Sequence, residues 1–209
     1  MASGGMQSLG ILLGILGLIG TIVCCIVPKW KYNSHIGSSI VTAQTQEEGI
    51  WMNCVVQSTG QQQCKVYDSL MALSSDLQAA RALTVITIIV SILGLLAALM
   101  GANFTTCLGD EDVKGKVATV AGVMLVVAGI MLLVPVSWSA HTTIRAFHNP
   151  LVTRKQEIGI SVWVGWGAAA LLLLGGGLLC CSWPRGSSGG SNYTAKYINN
   201  PSAPSRTHV

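Results

Sequence analysis

Four long stretches of the chain contain no Asp, Glu, Lys, Arg or His, and they constrain its fold more than any other feature. They are Met1–Pro28, Ala82–Gly109, Val117–Ala140 and Ile158–Pro184. Each exceeds the roughly 20 apolar residues with which a helix crosses the hydrocarbon core of a bilayer. Only 10% of the residues are charged, against about 25% in average soluble proteins. The sequence therefore predicts a membrane protein with four helical spans. Their expected bounds are about residues 7–27, 82–102, 117–136 and 160–182.

An even number of spans places both termini on one side of the membrane, so the loops 28–81 and 137–159 share the other side. The Lys and Arg residues give a first indication of which side is which. Five lie on the side of the termini (Lys114, Lys116, Arg185, Lys196, Arg206) and seven on the other (Lys29, Lys31, Lys65, Arg81, Arg145, Arg154, Lys155). By the positive-inside rule this difference of two favours termini that face outward.

The cysteines give the opposite indication, and we follow them. Cys54 and Cys64 lie in the first loop, where a disulfide between them would require an oxidising compartment. The loops are then extracellular and both termini cytoplasmic. This orientation requires two sequons, at Asn103 and Asn192, to remain unglycosylated.

The remaining cysteines are found close to the ends of the spans. They are Cys24, Cys25, Cys107, Cys180 and Cys181. Juxtamembrane cysteines on the cytoplasmic side are candidates for S-palmitoylation, which singles out Cys107, Cys180 and Cys181. The alternative is that they are small apolar residues of the packed bundle.

Within the spans the notable residues are small ones at helical spacing. Gly10, Gly14 and Gly17 share one face of the first span, and the second carries a similar set (Gly94, Ala97, Ala98, Gly101). Such faces let helix backbones approach closely, either inside the bundle, which we favour, or between two copies. No ionisable group lies inside any span, which disfavours a transporter or an intramembrane enzyme. Pro135 is expected to kink or end the third span.

One polar segment of the first loop, GIWMNCVVQSTGQQQC (49–64), has the pattern of a hairpin. If Cys54 pairs with Cys64, Val55 faces Gln63 and Val56 faces Gln62. Residues 58–60 then form a three-residue turn, whose last position favours a glycine, and Gly60 supplies it. Because side chains alternate across a strand, Lys65 projects from the face opposite the bond. Trp30 and Trp51 are expected to anchor this sheet at the membrane interface.

These features together resemble the claudin family. The first-loop signature of that family is a Trp, then Gly-Leu-Trp, two residues, Cys, eight to ten residues, and Cys. It is matched by Trp30, by Gly49-Ile50-Trp51 with Ile for Leu, and by the two cysteines. Arg81 matches the arginine that the family places at the entry to the second span. The similarity covers residues 1–183, and within the family it is closest to the barrier-forming, enterotoxin-receptor-like subgroup.

The resemblance implies a membrane α+β fold. This is a left-handed bundle of four transmembrane helices with an extracellular antiparallel sheet of about five strands, four from the first loop and one from the second. A short extracellular helix is also implied, followed by a cytoplasmic tail over 184–209. The implied role is that of a plasma-membrane protein of tight junctions, which polymerises into strands and forms a paracellular barrier or a charge-selective pore.

Several residues acquire roles through the same resemblance. Lys65 matches a position that faces the paracellular path, where a fixed cation favours anions. Leu70 is the expected knob for side-by-side assembly of neighbouring copies, and Phe147 helps to form the receiving pocket and contacts the opposing cell. Asn149, Pro150, Leu151 and Val152 resemble the motif that clostridial enterotoxin recognises, although Thr153 replaces the usual Ala.

The chain ends in Thr207, His208 and Val209, the Ser/Thr-x-hydrophobic form that PDZ domains bind by strand addition. The implied partners are therefore other claudin-like chains in cis and in trans, PDZ scaffold proteins, the bilayer and clostridial enterotoxin. The alternative function is an auxiliary channel subunit of the same superfamily that does not seal cells together. No nucleophile and base constellation or metal-ligand spacing is present, so we expect no enzyme, cofactor, metal or nucleic-acid partner.

Overall fold

The computed structural model describes residues 2–35, 44–57, 60–68, 73–102, 111–148 and 155–182. The helices of this part are α1 (Ala2–Ile26), α2 (Ser75–Gly101), α3 (Glu111–His148) and α4 (Ile160–Cys181). The strands are β1 (Lys31–His35), β2 (Gln44–Glu48), β3 (Met52–Val56), β4 (Gln62–Val66) and β5 (Lys155–Ile158). All four helices are long and apolar enough to cross a membrane, which confirms the four predicted spans.

The helices form one bundle in which α1 packs on α4, α4 on α3, and α3 on α2. Glycines allow the backbones to approach closely. A Cβ atom on Gly175 of α4 would lie only 2.8 Å from the carbonyl oxygen of Gly10 in α1. One on Gly176 would lie 2.7 Å from the carbonyl oxygen of Gly122 in α3. These glycine faces therefore serve packing inside the bundle, as favoured from the sequence.

The third helix is longer than the sequence predicted. It passes Pro135 and continues to His148, so of the two expected effects of Pro135, a kink or an end, the structure excludes the end. The first twelve positions of the expected loop 137–159 are thus helical. Charged and histidine residues such as His141 and Arg145 mark where the apolar run stops, not where the helix stops. Beyond the apolar run, α3 packs against β5, and this tertiary contact supports the extension. Similarly, α2 begins at Ser75, before the expected start near residue 82.

The strands form one antiparallel sheet in the order β4-β3-β2-β1-β5. Four strands come from the first loop, and β5 of the second loop pairs with β1 through Tyr32 and Glu157, among others. This confirms the predicted membrane α+β fold with a five-stranded sheet. The segment predicted as a short extracellular helix around Leu70 lies outside the described residues, as does the tail 184–209.

Candidate functional site

The hairpin of β3 and β4 has the predicted register. Cys54 and Cys64 form a disulfide, Val55 is opposite Gln63, and Val56 is opposite Gln62. Gly60 has φ of 79°, the left-handed conformation that the third turn position needs. Its amide donates to the Gln57 carbonyl at 2.9 Å. Ser58 and Thr59 of the same turn lie outside the described residues.

The signature residues form the joint between sheet and bundle. Trp30 is fully buried, and its Nε1 donates to the Cys24 carbonyl at the end of α1, at 3.0 Å. It therefore does not face the headgroups, and the prediction of an interfacial anchor is wrong for Trp30. Ile50, which replaces the family's Leu, is 1% exposed and belongs to the same hydrophobic core as Trp30. A buried indole and a buried aliphatic chain at this joint hold the sheet in place on α1.

Gly49 and Arg81 complete this joint. A Cβ atom on Gly49 would collide with Cα of Pro28, so only glycine fits. Trp51 donates from Nε1 to Sγ of Cys25 at 3.3 Å. The Arg81 guanidinium carbon lies 3.9 Å from the centroid of the Trp51 ring, a cation–π contact that connects the first loop to α2.

Lys65 lies on β4 at one edge of the sheet, and its side chain is 81% exposed. Its Nζ forms an ion pair with Oδ2 of Asp68 at 2.8 Å, and Asp68 is 80% exposed. The hydrogen bond that Lys65 donates to this carboxylate, together with the charge of Asp68, raises the pKa of Lys65. The candidate selectivity residue is thus exposed to solvent, on the strand face opposite the disulfide, and it stands beside an anion.

Other charges of the first loop are paired closer to the protein interior. Lys29 lies 3.6 Å from Glu47, whose side chain is only 8% exposed. Lys31, at 6% side-chain exposure, lies 3.7 Å from Asp76 at the start of α2. Which of these charges pair with one another follows only from the sheet register and the position of α2. These pairs leave Lys65 and Asp68 as a well-exposed ion pair of the described sheet.

The face that carries Lys65 is a row of cross-strand partners: Lys31, Glu48, Asn53 and Lys65. A cleft of about 660 Å³ lies over its outer part, lined by Asn53, Lys65 and Asp68 among others. Tyr67 also lines it, and its hydroxyl donates to the Gly49 carbonyl at 3.3 Å. Burial, followed by the charge of Glu48, raises the pKa of Tyr67 to about 12, so the phenol contributes no charge at neutral pH.

A second candidate region lies where α3 meets β5. A cavity of about 370 Å³ there is lined by Ile144, Phe147, His148 and Glu157 among others. Phe147 is 53% exposed, and its ring contacts that of His148 edge to face at 5.7 Å. An exposed aromatic side chain beside an open cavity has the geometry expected of a receiving pocket. The expected knob, Leu70, lies outside the described residues.

Other predicted site residues also fall outside the described part of the chain. They are the toxin-type motif Asn149, Pro150, Leu151 and Val152, the terminal Thr207, His208 and Val209, and Cys107. Of the other cysteines, Cys24 and Cys25 are buried, whereas Cys181 is exposed at the end of α4. The packing alternative therefore describes Cys24 and Cys25, and Cys181 is an accessible candidate for lipidation.

Comparison with known proteins shows similarity over nearly the whole chain. Residues 5–179 match the PMP-22/EMP/MP20/Claudin family. Dog Claudin-3 is 58% identical over 182 residues, which cover 86% of this chain and 84% of that protein. Human Claudin-4 is 54% identical over 211 residues, covering both chains completely. Human Claudin-6 is 54% identical over 209 residues, covering 99% of this chain and 95% of that protein.

Proposed function

The chain belongs to the PMP-22/EMP/MP20/Claudin family, and on that premise we propose that it is a tight-junction protein with a structural and adhesive role. It is a multi-pass membrane protein with both termini in the cytoplasm, and it polymerises into strands with other claudin-like chains in cis and in trans. The observation that carries this proposal is the full-length similarity to Claudin-4, combined with a disulfide-closed sheet built on four spans.

Strand formation tests this role directly and separates it from that of an auxiliary channel subunit. The chain is expressed in cells that lack junctions, and their membranes are viewed by freeze-fracture electron microscopy. Continuous intramembrane strands at cell contacts are the expected result. Cells that carry the protein at the surface but form no strands would favour the auxiliary subunit.

We further propose a barrier with a modest preference for anions, carried by Lys65. Its exposure at the sheet edge supports contact with permeating ions, and the nearby carboxylate of Asp68 limits the field it exerts. A Lys65 without the neighbouring carboxylate would give a stronger preference for anions. The cleft beside these residues offers a polar wall along which ions can pass.

The dilution potential across an epithelial monolayer of low resistance tests this preference. Expression of the chain should shift permeability toward chloride, and Lys65→Asp should reverse the shift. Lys116→Asp is the matched control, because Lys116 is also exposed but lies near the opposite end of the bundle, in α3. If wild type and Lys65→Asp raise resistance alike with no charge preference, the protein is a barrier former and Lys65 only a solvated surface residue.

Three further assignments rest on the sequence, and we propose them as features of the same tight-junction protein. Thr207, His208 and Val209 bind cytoplasmic PDZ scaffolds by strand addition. Cys107, Cys180 and Cys181 are the candidates for palmitoylation. The second-loop motif Asn149–Val152 is the candidate contact for clostridial enterotoxin, with Thr153 as the departure that weakens it.

A further inference from the structure

A crevice opens between the start of α2 and the part of α3 around Pro135, and it shares no lining residue with the cleft beside Lys65. Its volume is about 280 Å³. Among the residues that line it are Asp76, Ala79 and Leu83 on α2 and Val134, Pro135 and Trp138 on α3. Ala79 has a short side chain and Pro135 a compact ring, so neither fills the space between the helices. Val134 is 52% exposed and Trp138 is 61% exposed, so the crevice faces the surroundings of the bundle.

The crevice is polar at one end and apolar at the other. Trp138 donates from Nε1 to Oδ1 of Asp76 at 3.2 Å. An exposed tryptophan with its N–H on a polar group is typical of the membrane–water interface. From Asp76, α2 descends to Leu83 by roughly 10 Å, at about 1.5 Å per residue, and Val134 lies one turn below Trp138 on α3. The apolar end therefore lies within the hydrocarbon region of the leaflet on the sheet side.

The charge at the polar end restricts what can bind. The side chain of Asp76 is 28% exposed, whereas that of its ion-pair partner Lys31 is only 6% exposed. The charge offered to a ligand is therefore negative. Asp76 accepts one hydrogen bond from Trp138 and pairs with Lys31 through Oδ2 at 3.7 Å. A carboxylate has about four acceptor positions, so it can accept a further donor.

These features select among the lipids of the outer leaflet. A phospholipid would bring its phosphate close to Asp76, where like charges repel, and the methyl groups of a choline group keep its positive nitrogen from donating a hydrogen bond to the carboxylate. A sterol presents a single hydroxyl donor on an apolar ring system, and a rigid body loses little conformational entropy on binding. We propose that this crevice binds a membrane sterol, with the sterol hydroxyl donating to Asp76 and the rings packed along Ala79, Leu83 and Val134. The assignment does not depend on strand formation or ion preference.

Photolabelling of the full-length protein tests the proposal. The protein is placed in phosphatidylcholine vesicles that contain a sterol with a ring-borne diazirine and a free 3-hydroxyl, and the labelled peptides are mapped. The expected label falls on residues 75–83 of α2 and 134–138 of α3. Ala79→Phe should fill the crevice and reduce this label roughly tenfold, since a bulky ring leaves no room for a second ring system. Ala82→Phe is the matched control, because Ala82 is also an exposed alanine of α2 but does not line the crevice.

A competition on the unaltered protein tests the hydroxyl and does not depend on how a variant folds. Unlabelled sterol should compete with the probe, and the corresponding 3-ketone, which cannot donate, should compete roughly tenfold less well, as expected for the loss of one hydrogen bond to a charged group. Three results would overturn the proposal. They are label spread evenly over all lipid-facing helices, equal effects of the two phenylalanine variants, and stronger labelling of the same peptides by a photoreactive phosphatidylethanolamine.

Discussion

Lys65 and Asp68 show how single residues set the charge of the sheet face. Both side chains are about four-fifths exposed, and their charged atoms are 2.8 Å apart. An ion near this pair therefore meets a dipole more than a cation, and the field of the pair falls off faster than that of one charge. Because the pKa of Lys65 is raised from an ordinary value already about 10.4, Lys65 stays charged at neutral pH. The contribution of the Lys65–Asp68 ion pair to stability is therefore present at neutral pH. It is lost only as the pH rises through the raised pKa of Lys65.

Removal of the anion should expose the full charge of Lys65. We predict that Asp68→Asn raises the chloride-to-sodium permeability ratio by about two- to fivefold, the effect of one nearby unit charge in water. The dilution potential measures this ratio, and the change should shrink between low and physiological salt because the Debye length falls to about 8 Å. An unchanged ratio at low salt would mean that the pair does not lie beside the ion path.

Gly49 is a residue for which the structure allows no side chain. A Cβ atom on Gly49 would overlap with the backbone of Pro28. It would also lie 3.0 Å from the Met52 carbonyl oxygen. We predict that Gly49→Ala destabilises the protein by roughly 1–3 kcal/mol through overpacking, measured as a lower Tm of the purified protein. Gly177→Ala is the control, since a Cβ there meets open space. Equal Tm values for the two variants would show that the joint of sheet and bundle can adjust.

At the scale of elements, the hairpin of β3 and β4 is stabilised by a short-range bond at the rim of the sheet. All five residues of β4 are exposed, and β4 pairs only with β3 among the described strands. A two-stranded hairpin is marginal in water. The Cys54–Cys64 disulfide therefore supplies order that packing does not.

We predict that Cys54→Ser combined with Cys64→Ser lowers the opening free energy of this hairpin by roughly 3 kcal/mol, the loop-entropy estimate for so short a ring. Amide hydrogen exchange of β3 and β4 should then accelerate by roughly a hundredfold. The double variant Cys180→Ser and Cys181→Ser is the control, because these residues lie at the C-terminal end of α4, far from the sheet. It should leave the exchange of β3 and β4 unchanged. Full protection of the hairpin without the bond would mean that pairing with β2 alone holds it.

At the scale of the whole molecule, the position of the sheet relative to the four spans bears on the proposed orientation. The first and third connections meet in one sheet, because β5 pairs with β1. All five strands therefore lie on the same side of the four spans. The disulfide supports the proposal that this side faces an oxidising, extracellular compartment, with both termini in the cytoplasm.

Glycosylation tests this orientation directly, because glycans are added only to loops on the lumenal or extracellular side. We predict that Gln57→Asn, which creates Asn-Ser-Thr at the tip of the hairpin, is glycosylated, whereas the native sequons at Asn103 and Asn192 are not. Digestion with an endoglycosidase followed by gel electrophoresis measures the shift of about one glycan. Gln57→Asn combined with Thr59→Ala lacks the sequon and serves as the control. A glycan on Asn103 or Asn192 would reverse the proposed topology.

The sequence by itself determined the four spans, the hairpin register and the face of β4 on which Lys65 lies. Span positions follow from local composition, because the bilayer requires a continuous apolar segment whatever its neighbours are. The hairpin follows from strand alternation and from a turn that places Gly60 at its left-handed position. These features depend on neighbours close in the chain, so they can be read from it.

Only the tertiary structure decided where helices end and which groups meet. The packing of α3 against β5 supports its continuation to His148, and the backbone of Trp30 is held between Glu48 and Gly159. Lys31 meets Asp76 because β1 is placed beside the start of α2. The crevice beside Trp138 exists because α2 and α3 present small side chains to each other there. Each involves residues far apart in sequence, whose distance no local pattern contains.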